Sequence, residues 1–176
     1  MIHKRLRPFN TKDTYPEQKL NTDLSQGVVA RGTMALPAFG ADSGQVPGSA
    51  GRGRIAGPPP QSAEEWLALA VLYMALLTVS CADCLGESRR VILDGSYLGD
   101  PLYGSLVAAL RPGAETLVNH ESYGVAAGAA LLCSHERRAQ PATLALGSPA
   151  ILKDLTALSN YAAQWRDDTR QQQTKG

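Results

Sequence analysis

Residues 91–132 read VILDGSYLGDPLYGSLVAALRPGAETLVNHESYGVAAGAALL, and their order decides the fold class. Val91, Ile92 and Leu93 form a short apolar run rich in β-branched residues, the signature of a buried strand. Asp94, Gly95 and Ser96 follow as a small-residue turn. Asp100 then offers a side-chain oxygen to free helix amides, and Pro101 suits the first helical position. A second strand is expected over 115–119. A second helix then opens at Gly124 and carries Gly128 among alanines, a face with almost no side chain that could lie tightly against a sheet or a ligand. Strand, turn, helix, strand, helix is the order of an α/β protein, and a small-residue turn after a strand lets a ligand approach the backbone.

Composition agrees with a globular piece. Hydrophobic residues make up 44% and charged residues 19%, so there is apolar material for a core. Seventeen basic residues balance sixteen acidic ones, giving +1. No strong field would steer nucleic acid or anionic lipid. Cys81, Cys84 and Cys133 are an odd number, and Met1, Ile2, His3, Lys4 and Arg5 lead into polar sequence rather than a secretory core. A reducing cytoplasm is the expectation.

Outward from the central stretch, glycine and proline divide the chain. Residues 1–31 are a polar segment ending in a short helix over 17–31, in which Leu20, Leu24 and Val28 recur on one face. Residues 32–61 are a Gly/Pro-rich loop region with at most short strands, one of them near 33–36. Gly51 and Gly53 form no phosphate loop, because no strand precedes them and no Gly-Lys-Ser/Thr follows. Residues 62–165 are the α/β core, and 166–176 a polar tail that should fray.

The core opens on a long helix. Ser62 and Glu65 form a capping box, in which the Ser oxygen takes a free amide and the Glu reaches back to the cap's own amide. Residues 66–82 carry no charge, enough to raise a membrane reading. Glu64 and Glu65 before the run, and Thr78, Ser80 and Asp83 at its end, favour a helix buried on several sides. Cys81 and Cys84 share a helix face but lack the four ligands of a zinc site, and they read as buried structural thiols. His120 and His135 have no ligand spacing, so neither a metal site nor a catalytic residue is assigned. Leu152, Leu155, Leu158, Tyr161 and Trp165 recur as on an amphipathic helix, expected to pack on the domain, with docking to another chain as the alternative.

This ordered set resembles the C-terminal half of the FGGY carbohydrate kinases, which belong to the actin-like, ribonuclease H-like ATPases. The segment Gly32 to Pro37 resembles the family's stretch ending in Leu-Pro, and Gly51 to Gly57 its glycine-flanked segment. Residues 62–85 resemble its long central helix, Asp94, Gly95 and Ser96 its adenosine-binding turn, and 124–132 its small-residue helix. The resemblance covers roughly residues 32–132. Two departures stand out: a single Gly95 replaces the family's paired glycines, and Ala38 to Asp42 replaces its Gly-Glu-Arg after Leu-Pro.

The resemblance implies an α/β fold, the C-terminal half of an actin-like ATPase with its sheet incomplete, and a long helix packed across that sheet. It implies Gly95, Ser96 and Asp100 at the cofactor, with ATP and Mg²⁺ as cofactors of the intact enzyme. The catalytic Asp and the phosphate turns of the family lie upstream of the matching segment. The chain is thus expected to supply the adenosine side of a sugar kinase, to be inactive and marginally stable alone, and to bind nucleotide weakly. Its expected partners are the missing N-terminal half or a second copy, not nucleic acid or membrane. The alternative is a non-catalytic interaction or membrane-associated protein using residues 66–85.

Overall fold

The computed structural model describes residues 22–41, 44–86, 89–119, 124–133, 145–152 and 155–174. Helix α1 spans Thr22–Ala30, with Val28 fully buried as the periodicity predicts; its expected beginning near residue 17, Leu20 included, lies outside the described residues. Strands β1 (Met34–Leu36) and β2 (Arg54–Ala56) pair antiparallel, Ala35 opposite Ile55, as a two-stranded ribbon. The turn into this ribbon's far side needs glycine. Gly57 has φ 78°, and a Cβ there would lie 2.5 Å from the Gly32 carbonyl oxygen.

Helix α2 spans Ala63–Cys84. Ser62 caps it, accepting from the Glu65 amide at 3.2 Å. The reciprocal half of the capping box lands one residue earlier than expected: Glu65 accepts from the Gln61 amide at 2.7 Å. The same carboxylate is held by Arg31 at 2.8 Å, an ion pair that draws it toward α1. At the far end the Leu85 amide reaches both Cys81 and Ala82 carbonyls, and Gly86, at φ 94°, ends the helix.

The central stretch folds as its sequence order implies. Strand β3 (Arg90–Leu93) runs into a 3₁₀ turn over Ser96–Gly99, and helix α3 (Pro101–Leu110) returns the chain to strand β4 (Glu115–Asn119). β3 and β4 are parallel, Leu93 beside Val118, so α3 is the crossover of a βαβ unit. Helix α4 (Gly124–Cys133) follows. Strand β5 (Leu146–Gly147), which no pattern announced, then adds antiparallel to β4, giving the order β3-β4-β5. Helix α5 (Leu155–Thr174) closes the chain.

Packing departs from expectation in four places. α2 packs mainly on α1, α3 and β1, and α3 rather than α2 lies against β4 of the three-stranded sheet. Although α2 is apolar all round, its buried residues (Ala68, Leu69, Leu72, Ala75, Leu76, Val79) form one stripe. Trp66 and Leu67 near its start remain 48% and 42% exposed, whereas residues 71–80 are all buried or half-buried, so the described residues cover the helix along its middle and leave its first turns open. The small-residue face of α4 is not packed tightly either: Ala126, Gly128, Ala129 and Ala130 are exposed, and a Cβ at Gly128 would meet nothing within 4 Å. Cys81, Cys84 and Cys133 are all exposed rather than buried. The end of α2 and the outer side of α4 both face away from the core, so a helical position alone does not hide a thiol.

The fourth departure is the tail. The helix continues through residues 166–174 instead of fraying. The Gln172 amide donates to the Arg52 carbonyl and the Arg52 guanidinium to the Gln172 carbonyl, both at 3.0 Å, which ties the polar end to the loop before β2. The apolar face of α5 packs on the domain as expected. Leu158 joins the core of α2, α3 and β4, while Tyr161, Ala162 and Trp165 pack with Met34, Leu36 and Leu76. Each large side chain buried in this way stabilises the fold by roughly 1.5–3 kcal/mol.

Candidate nucleotide-side cleft

A cleft of about 340 Å³ opens at the C-terminal ends of the parallel strands β3 and β4. One wall is the turn and 3₁₀ segment carrying Gly95, Ser96, Leu98 and Gly99; the start of α3 adds Asp100, Pro101 and Gly104. Val118 and Asn119 form the floor, and Ser148, Pro149 and Ala150, just beyond β5, form the far wall. This is where open α/β sheets receive ligands, since the strands end there and their connections leave in different directions.

Local chemistry explains the shape. Gly95 has φ 116° and ψ −177°, a conformation that essentially only glycine adopts, and a Cβ there would meet nothing within 4 Å. The glycine is therefore required by the backbone angle, and the space beside it is open. Asp100 caps α3 as its sequence position predicts, accepting from the Leu102 amide at 2.9 Å. Its carboxylate thereby occupies the positive end of that helix, where an anionic ligand group would otherwise sit. Gly104 lets α3 approach closely, because a Cβ there would come within 2.9 Å of Val118 Cγ1 and 3.4 Å of Pro149 Cβ.

The three residues singled out in the sequence, Gly95, Ser96 and Asp100, thus line one cleft. Asp94, an added charge next to the glycine, is engaged by the Asn119 side-chain amide at 3.3 Å. The pattern reading missed Asn119 and the wall at Ser148 to Ala150. Asn119 carried a usable signal, a polar residue closing an apolar strand beside the end of β3. The far wall carried none, since a two-residue strand has no periodicity to read.

Among the described residues no group of three or more His, Cys, Asp or Glu side chains is placed to hold a metal ion. His120 and His135 lie outside them. By length and composition alone α2 could cross a membrane, with mean hydropathy 2.0 over an 18-residue window, 39% of it buried inside the fold.

Comparison with known proteins bears on this geometry. The sequence matches the family described as carbohydrate kinase FGGY, C-terminal domain, over residues 4–141. No curated protein matches it. Among solved structures, a carbohydrate kinase from Novosphingobium aromaticivorans superposes with a TM-score of 0.63 at 22% identity, over 85% of this chain and 30% of that one. The chain therefore spans under a third of the length of that relative, and the likeness is one of fold. The incomplete sheets and the βαβ unit agree with an actin-like C-terminal domain. By its sequence match over most of its length, the chain belongs to the C-terminal domain of the FGGY carbohydrate kinase family.

Proposed function

We propose that this chain forms the nucleoside-facing wall of the nucleotide site of a cytoplasmic, ATP-dependent sugar kinase, and that it has no kinase activity alone. The observation that carries the reading is the open cleft at the ends of β3 and β4, lined by Gly95, Ser96 and Asp100. The cleft fits the nucleoside end of ATP better than its phosphates. Its walls are backbone, hydroxyl and apolar groups, and Asp100 already fills the anion-favouring helix end. In the complete enzyme, ATP with Mg²⁺ supplies the phosphoryl group that a sugar hydroxyl accepts. Gly95 and Ser96 admit the nucleoside to the backbone, Asp100 holds the start of α3 in place, and Val118 and Pro149 offer apolar contact to the base. One wall cannot enclose a ligand, so binding by the lone chain is weak.

Calorimetric titration with adenosine and ATP tests the reading. Weak binding of both is expected, lost in Ser96→Trp, which fills the cleft from a helical position, and in Gly95→Val. Binding that both substitutions leave unchanged would overturn the proposal, as would phosphorylation of a ketose or polyol by the purified chain above a contaminant control. A second reading, an interaction or membrane-associated protein, is favoured by the exposed Trp66 and Leu67 of α2. Flotation of the chain with neutral lipid vesicles would support it, and full recovery in the lipid-free fraction would exclude the membrane form.

A further inference from the structure

Asp94 follows strand β3 immediately before Gly95, and the nucleoside reading of the cleft leaves its carboxylate without a task. Asn119, buried at the end of β4 with 4% exposure, donates to Asp94 Oδ1 at 3.3 Å. Asn119 has a further partner besides, so it is a fixed point rather than a loose side chain. Asp94 itself is exposed, and among the described residues its carboxylate makes this one bond. An ionised carboxylate accepts at about four lone-pair sites and donates nothing. One site is taken by Asn119, and Oδ2 keeps its capacity to accept.

Position decides what that capacity can serve. Gly95, the next residue, and Asn119, the bonded one, both line the cleft, so Asp94 stands at the rim where its wall meets its floor. Leu98, Val118 and Pro149 supply apolar surface inside, and a base seated on them leaves its sugar toward the rim. Among the described residues no lysine, arginine or histidine lines the cleft. A phosphate beside Asp94 would meet a like charge with no cation to offset it. A hydroxyl meets a charged acceptor, and such hydrogen bonds are roughly twice as strong as neutral ones. Ribose offers two vicinal hydroxyls, and acidic residues take them in other α/β nucleotide sites.

We propose that Asp94, oriented by Asn119, reads the ribose in this cleft, accepting from its 2′- and 3′-hydroxyls and so selecting ribonucleosides over their deoxy analogues. The inference rests on the cleft being a nucleoside site and adds a sugar specificity that Gly95, Ser96 and Asp100 do not supply. Gly95 has no side chain, Ser96 carries a single hydroxyl, and Asp100 Oδ1 is occupied by the Leu102 amide. Asn119 is a positioning residue: it holds Asp94 before the ligand arrives, which lowers the ordering cost of binding. The same bond also ties the ends of β3 and β4 together. Loss of a tie weakens every ligand of the cleft alike, whereas loss of a sugar contact weakens only ligands that carry the hydroxyls.

The test titrates the full chain with adenosine and with 2′,3′-dideoxyadenosine, followed by amide NMR shifts, which measure weak binding. The wild type is expected to bind adenosine about fivefold to tenfold more tightly, the effect of a charge-assisted hydrogen bond at a hydrated rim. Asp94→Ala should bring adenosine down to the dideoxy analogue while leaving the analogue within about twofold of wild type, which also shows that the variant's cleft is folded. Asn119→Ala should reduce the preference through the loosened carboxylate. Equal affinity of the wild type for the two nucleosides overturns the ribose contact and leaves the nucleoside reading standing. A preference that survives Asp94→Ala, or a variant that loses both ligands in the same proportion, also overturns it. Absence of binding by either nucleoside overturns the nucleoside reading and the ribose contact together.

Discussion

Tyr161→Phe tests how helix α5 is held against strand β1. Tyr161 and Trp165, one helical turn apart on α5, donate to the carbonyls of Thr33 at 2.6 Å and Ala35 at 2.8 Å. Carbonyls two residues apart on a strand point to the same edge, so the helix lines that edge of β1 with side-chain donors. Both side chains are buried, at 4% and 2% exposure. Removing the phenol oxygen leaves the ring packing in place but takes the donor from a buried carbonyl. The gap is one oxygen wide and offers a replacement water few polar partners. A buried acceptor left without its donor costs about 1–3 kcal/mol. For a chain of this size each kcal/mol shifts the melting temperature by about 2–4 °C, so Tyr161→Phe should melt about 2–12 °C lower. Calorimetry of the variant, beside Trp165→Phe and the double variant, measures the loss and the coupling between the two donors. Burial also pushes the Tyr161 phenol well above its ordinary value. Its contribution is therefore fully present below the unfolded value near pH 10 and is lost as pH rises toward the raised folded value, a component Tyr161→Phe should lack. A melting temperature within about 1 °C of wild type, with unchanged alkaline unfolding, would refute the account of α5 as the edge cover of β1.

Gly57→Ala should lose about 2 kcal/mol or more, because the new methyl group meets the Gly32 carbonyl oxygen at 2.5 Å in a positive-φ turn; an unchanged urea midpoint would refute it. Glu65→Gln probes the start of α2. The Gln61 amide, with Arg31 beside it, holds the Glu65 carboxyl below its ordinary value. The stabilisation is thus fully present above the unfolded carboxylate value and is lost as pH falls through the depressed folded value. The stability difference between wild type and Glu65→Gln should shrink over that acidic range, and a difference independent of pH would show that the carboxylate charge is not what holds the cap.

The local grammar of the central stretch was legible from residues alone. An apolar β-branched run, Asp100 and Pro101 as a helix start, and a second apolar run place β3, α3 and β4 because strand and cap chemistry act within a few residues. Gly95 was legible as a turn residue, and its φ of 116° gives the reason. The Ser62 cap and the Leu158, Tyr161, Trp165 face were readable for the same cause. What the pattern could not carry was pairing between distant segments. Glu65 found Gln61 and Arg31 rather than the Ser62 amide, because the approach of α1 to α2 sets where its carboxylate can be satisfied. The polar tail stayed helical because Gln172 meets Arg52 across 120 residues, an anchor absent from any local window. Cysteine burial depends on which side of α2 and α4 the rest of the chain covers. The far wall of the cleft exists only because β5 adds to β4 and brings Ser148 to Ala150 beside Gly104. Propensity and capping act between near neighbours and can be read along the chain, whereas edge cover, ion pairs and cleft walls require loop closure over tens of residues and are decided by tertiary packing.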